Sequence, residues 1–119
     1  MQRFQILLII SSLCILFSCS KDKLDENGEI CTEEITYQRD VKAIIDASCA
    51  YSGCHDGANA PGNYNSYQGM SPFLNESKFM RRVVQRRDMP PNYASGTTFL
   101  SAEELNVISC WVQGAYLEN

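Results

Sequence analysis

Beyond residue 35 the apolar positions of this chain form three helical stripes, separated by stretches without that period. The first stripe, Val41, Ile44 and Ile45 with Ser48 in register, recurs at three- and four-residue spacing, and Arg39, Asp40, Lys42 and Asp46 fall on the other faces. It predicts a helix from about Tyr37 to Ala47 that delivers the chain into Cys49. A second helix, capped by Asn75 or Ser77, is expected through Phe79, Met80, Val83 and Val84 to Arg87, with Lys78, Arg81, Arg82, Arg86 and Arg87 on its polar face. Met89-Pro90-Pro91 ends it, because proline forces the residue before it out of helical geometry. The third begins at Ser101-Ala102-Glu103-Glu104, a capping box, and continues along Leu105, Ile108, Trp111, Val112 and Ala115, with Gly114 near its end. Asp56 to Tyr67, punctuated by Gly57, Pro61 and Gly62, and Asn92 to Thr98 read as loops. No stretch alternates as a strand should. The expected class is all-α, a small domain of about three helices with long loops.

The N-terminal pattern is different in kind. A basic start, Met1-Gln2-Arg3, precedes an apolar run from Ile6 to Phe17, about a dozen residues where roughly 20 are needed to span a bilayer. This is the layout of a secretory leader. Its end, Leu16-Phe17-Ser18-Cys19, resembles the lipobox of bacterial lipoproteins, which implies a leader over 1–18 and an acylated Cys19. A leader cut nearby without lipid, or an uncleaved anchor, would give the same pattern. Residues 19–34 are polar and charged and read as a flexible tether, leaving 35–119 as the folded domain. The expected location is exported and lipid-anchored to a bacterial membrane, taken as the outer one, on its periplasmic or cell-surface face.

Charge and cysteine count narrow the function. The formal charge is −4, and loss of Arg3 with the leader leaves nine basic against 14 acidic residues, or −5. That balance argues against nucleic-acid binding, which needs a basic footprint. Of six cysteines, Cys14 leaves with the leader and Cys19 is consumed by lipid, so Cys31, Cys49, Cys54 and Cys110 remain. Two disulfides would use them all. So would a cofactor on Cys49 and Cys54 with Cys31 and Cys110 left to pair.

The candidate chemistry lies in Ser48-Cys49-Ala50-Tyr51-Ser52-Gly53-Cys54-His55, which holds two thiols and, directly after the second, the only histidine of the chain. In an exported protein this reads as covalent attachment of haem: the thiols add to the vinyl groups and His55 becomes an axial iron ligand. The usual spacer is two residues and here it is four. Extra loop residues cost little entropy, and Gly53 frees the backbone, so the ends can stay where a shorter spacer would put them. The competing readings are a local Cys49–Cys54 disulfide, a zinc site lacking an evident fourth ligand, and a thioredoxin-like pair without the βαβ context. With no other histidine, a methionine is the natural second axial ligand, the alternative being an open or water-filled position. Met80 sits among core positions, Met70 follows Gly69 in an expected loop, and Met89 is held by Pro90-Pro91. Met89 is the choice, with Met70 and Met80 left open.

Taken together, Ala47-Ser48-Cys49, Cys54-His55-Asp56-Gly57, Met89-Pro90-Pro91, Leu100-Ser101 and Trp111-Val112-Gln113-Gly114-Ala115 resemble small c-type cytochrome lipoproteins of the Bacteroidetes type, over roughly Ile35 to Tyr116. The resemblance implies a cytochrome c-like fold and covalent haem c on Cys49 and Cys54, with His55 as proximal and Met89 as distal ligand. It also implies a Cys31–Cys110 disulfide, and first and last helices that cross, bringing Trp111, Val112 and Leu105 against Val41, Ile44 and Ile45. The expected function is one-electron transfer between redox partner proteins at a membrane, without enzymatic activity, since no acid–base or nucleophile pair is evident. The arginine-rich face is either a solvated surface or a site for haem propionates or an acidic partner. Two rival functions stand beside this: a haem-free, disulfide-stabilised interaction module, and a haem sensor with an open iron position.

Overall fold

A computed structural model describes residues 31–58 and 62–119. The expected leader over 1–18, the lipid acceptor Cys19 and the tether as far as residue 30 lie outside the described residues. Within them the secondary structure is helical, apart from one isolated bridge between Asp56 and Asn63. None of the described helices is long and apolar enough to cross a membrane.

Helix α1 opens with a π-helical segment, Tyr37–Val41, and continues as the α-helix Lys42–Ser48. Thr36 caps it reciprocally: its hydroxyl accepts from the Arg39 amide, and its own amide donates to Asp40 Oδ2 at 2.8 Å. The first amides of a helix have no partner inside it. Here Tyr37 N and Gln38 N donate to the carbonyls of Leu117 and Glu118, at 2.8 and 3.1 Å, so residues 117 and 118 complete the start of α1.

Helix α2, Tyr67–Asn75, lies partly in the expected loop and raises the helix count from three to four. Gly69 and Pro72 hid it from a reading by propensity. Three features outweigh them: the Ser66 cap on the Gly69 amide, burial of Met70 and Leu74 one turn apart, and the seat of Gly69 itself. A Cβ on Gly69 would press into the carbonyl oxygen of Asn63, so the helix can pass the 62–66 loop only where it has no side chain. Met70 is therefore helical and fully buried.

Helix α3, Met80–Gln85, is π-helical; Lys78 and Phe79 just ahead of it are already helical, as a Ser77 start predicts, but it stops short of the expected Arg87. Ser77, at φ 57°, lies between α2 and α3. Helix α4, Ala102–Gln113, follows the prediction closely, and both halves of the Ser101–Glu104 capping box are formed. A disulfide joins Cys31 to Cys110 on α4 across 79 residues.

The core gathers around Trp111, which is completely buried. Its ring meets Tyr37 of α1, Tyr67 of α2, Phe79 just before α3, and Tyr116, while its Nε1 donates to the Leu117 carbonyl at 2.8 Å. Val41, Ile45 and Ile108 fill the same cluster. Leu105, expected beside Trp111 against α1, is placed differently from Trp111. Leu105 lies outside the main cluster and lines a separate groove with Val83, Leu100 and Phe99.

Substituting alanine for glycine inside a helix usually stabilises by about 1 kcal/mol. At Gly69 the sign should reverse, because the methyl group displaces the Asn63 backbone; a net loss of roughly 1–3 kcal/mol is expected from such overpacking. Urea denaturation of Gly69→Ala measures it, and a raised midpoint would refute the close approach.

Candidate functional site

The cysteine motif begins as an extension of α1. The amides of Cys49 and Ala50 both donate to the Ile45 carbonyl, at 2.8 and 2.9 Å, so the first thiol sits at a fixed point on the helix end. The spacer then folds back. Cys54 N donates to Tyr51 O at 3.0 Å, closing a β-turn whose third residue, Gly53, has φ +84° in the region that favours glycine. His55 N donates to Cys49 O at 2.9 Å. That last bond returns the end of the spacer to its beginning, which is how six residues from Cys49 to Cys54 keep both thiols on one side. Asp56 trims the turn, accepting from Gly53 N at 3.4 Å and Ala58 N at 3.0 Å.

His55 is held by a residue that the sequence did not single out. Tyr64 stacks on the imidazole with ring centroids 4.1 Å apart and planes inclined by 10°, and its amide donates to the His55 carbonyl at 2.8 Å. Tyr64 in turn packs edge-on against Phe73 and touches Phe79, which leans on Trp111. An unbroken series of rings therefore runs from the core tryptophan to the histidine. Tyr64 lies in a stretch of Gly, Asn and Pro, and nothing in that composition signals a buried aromatic.

Cys49, Cys54 and His55 open into a cavity of about 640 Å³. Phe73, Phe79, Val83 and Tyr64 form its apolar wall, and Met89, Pro90 and Pro91 close it from another side. Of the three methionines considered, only Met89 is in this lining. Met70 is buried within the core and Met80 packs against it. Lys78, Arg81 and Arg82 supply a cationic rim, whereas Arg86 and Arg87 do not line this cavity. Asp88, beside Met89, pairs with Arg82 Nε at 2.5 Å and Arg86 at 3.0 Å, tying the Met89 segment back to α3. The hydrogen bond from Arg82 holds the Asp88 carboxyl below its usual range.

The two thiols are unbonded and differ in setting. Cys49 is only 8% exposed, while Cys54 is half-buried. Burial first, and the neighbouring Cys54 second, push the Cys49 thiol up to about 12. Burial first and Cys49 second likewise push the Tyr64 phenol up to about 12. A volume of this size lies within the roughly 300–1,000 Å³ of cofactor sites. Two soft sulfurs, an imidazole and a thioether around an apolar void form a donor set suited to covalently held haem. It suits zinc poorly: among the described residues no group of three or more His, Cys, Asp or Glu side chains gathers to hold a metal ion. No protein-family model, curated protein or solved structure matches this chain.

The unloaded protein should therefore show two unequal thiols. Iodoacetamide at pH 8 under native conditions should label Cys54 first, and Cys49 only on unfolding or as the pH climbs toward 12. Peptide mass mapping distinguishes them, and equal labelling or a Cys49–Cys54 disulfide would contradict the arrangement. Because the folded thiol of Cys49 titrates above its ordinary value of 9.0, the unfolded chain releases this proton first. Its contribution to stability is thus complete below pH 9 and declines as pH rises from there toward 12.

Proposed function

We propose that this chain is a monohaem c-type cytochrome that carries single electrons between protein partners while held to a bacterial membrane by lipid on Cys19. The observation that carries the reading is the composition of the cavity. Cys49, Cys54, His55 and Met89 share one lining, while Met70 and Met80 are outside it. The cytochrome c-like identity of the all-α fold belongs to the same proposal.

Haem bound there supplies reversible one-electron chemistry at its iron. The chain's own residues hold, orient and tune it. Cys49 and Cys54 would hold it through thioethers, each formed by addition of S–H across one vinyl group with no net change of oxidation state. His55 would hold the iron from the proximal side, and its ring is oriented by the Tyr64 stack and by backbone bonds on either side of it. Met89 would hold the iron from the distal side, where a thioether would raise the reduction potential. Phe73, Phe79, Val83 and Pro90 keep water from the apolar part of the cavity, favouring the less charged, reduced state. Lys78, Arg81 and Arg82 offer cations to carboxylates at the rim.

Co-expression with a cytochrome c maturation system tests this. Acid-washed, denatured protein should keep a haem absorption band and a mass increase of one haem. A mass matching two disulfides with no visible absorption would sink the proposal in favour of a haem-free module. Met89→Ala should change the ligand-dependent spectrum and lower the potential, while Met70→Ala should act on stability, by about 2–5 kcal/mol for a buried methionine. An unchanged Met89→Ala spectrum would leave the iron with another distal ligand or an open position.

A further inference from the structure

The spacer between the two cysteines contains one large side chain. We propose that Tyr51 is a positioning residue that clamps the thiol-bearing turn to the 93–96 segment and so fixes Cys54 on the cavity wall. The inference rests on reading Cys54 as an attachment point.

The spacer has few other holds. Ser52 and Gly53 are exposed, and nothing lies within 4 Å of where a Gly53 side chain would begin. Beyond the Ala50 amide on the Ile45 carbonyl and the turn bond from Cys54 N to Tyr51 O, the spacer has the 3.4 Å contact of Gly53 N with Asp56. Tyr51 points the other way, over Gly96. A Cβ on Gly96 would come within 2.9 Å of Tyr51 Cζ and 3.1 Å of its Oη, so this seat admits the ring only because residue 96 has no side chain. The Tyr51 hydroxyl is buried between the Cys54 sulfur and the Gly96 backbone amide, without a hydrogen bond of good geometry to either. It lies beside the Cys54 sulfur, and that contact, with burial second, holds the phenol protonated above its usual range. A buried hydroxyl left short of a full partner is unfavourable, and its presence here calls for a role.

The partner segment supplies that role. Tyr93, Ala94 and Ser95, just ahead of Gly96, line the same cavity as Cys54, and only Asn92 separates them from Met89-Pro90-Pro91. One ring thus joins the wall that carries the thiols to the wall that continues from the methionine. A two-residue spacer would set the second thiol by its own tight turn. In the four-residue spacer the turn spans Tyr51 to Cys54 alone, and Tyr51 adds a tertiary contact that ties this turn to the 93–96 segment.

The test uses the full chain in two states. In unloaded protein, Tyr51→Ala should speed native alkylation of Cys54 several-fold, and Tyr51→Phe, which keeps the ring, should stay near the wild-type rate. Gly96→Ala should displace the ring and speed alkylation alone, yet add little in the Tyr51→Ala background, the non-additivity expected of residues in contact. After co-expression with the maturation system, Tyr51→Ala should shift product toward a single thioether through Cys49, read by haem-peptide mass. An unchanged Cys54 rate in folded Tyr51→Ala, or strictly additive effects of the two alanines, overturns the clamp. Wild-type chain that acquires no covalent haem overturns the attachment reading instead, while the alkylation rates still judge the clamp on their own.

Discussion

Burial of Trp111 is the condition on which the other contacts rest. Its ring touches side chains from the start of α1, from α2, from the approach to α3 and from Tyr116, and its indole nitrogen is bonded to the Leu117 carbonyl. A large ring in close-packed surroundings brings both apolar area and directional edge-to-face contacts, and here it also meets its one polar requirement. Short helices such as α1 and α3 would be marginal alone. They persist because each lays apolar residues against this centre.

The cavity follows from that arrangement. Helix α1 is oriented by Tyr37, Val41 and Ile45 against the core, and its far end carries Cys49. Phe79 faces Trp111 on one side and reaches Tyr64 and the cavity on the other. The elements that would surround a cofactor are therefore anchored on the opposite side, leaving an apolar void where a disc-shaped group would complete the packing. A chain this small gains much from such a group, since its own residues supply limited core.

Periodicity and capping chemistry made α1 and α4 legible, because Val41, Ile45, Ile108 and Trp111 obey the helical period and Ser101 and Glu104 form a local motif. The CxxxxCH run and the Met-Pro-Pro run were legible as residues, and they share a cavity lining in the structure. Helix α2 was not legible, since Gly69 and Pro72 oppose a helix and the reason for Gly69, the Asn63 carbonyl, is a tertiary contact. Tyr64 and Tyr51 were hidden for the same reason. Each sits in a stretch of loop composition and acquires its place only when a distant segment, α2 or residues 93–96, arrives beside it.

The bond between Cys31 and Cys110 has a consequence for the order of events in an oxidising compartment. Its partners are 79 residues apart, whereas Cys49 and Cys54 are five apart. By loop-closure entropy, an unfolded chain favours the local pair by on the order of 2 kcal/mol. The stapling disulfide is thus the one that chance encounter makes least readily. Cys31 reaches Cys110 in good yield only if the nearer thiols are kept reduced, or already engaged, until α1 and α4 have met. Oxidation that outruns folding would close the small ring first and leave the ends of the chain apart.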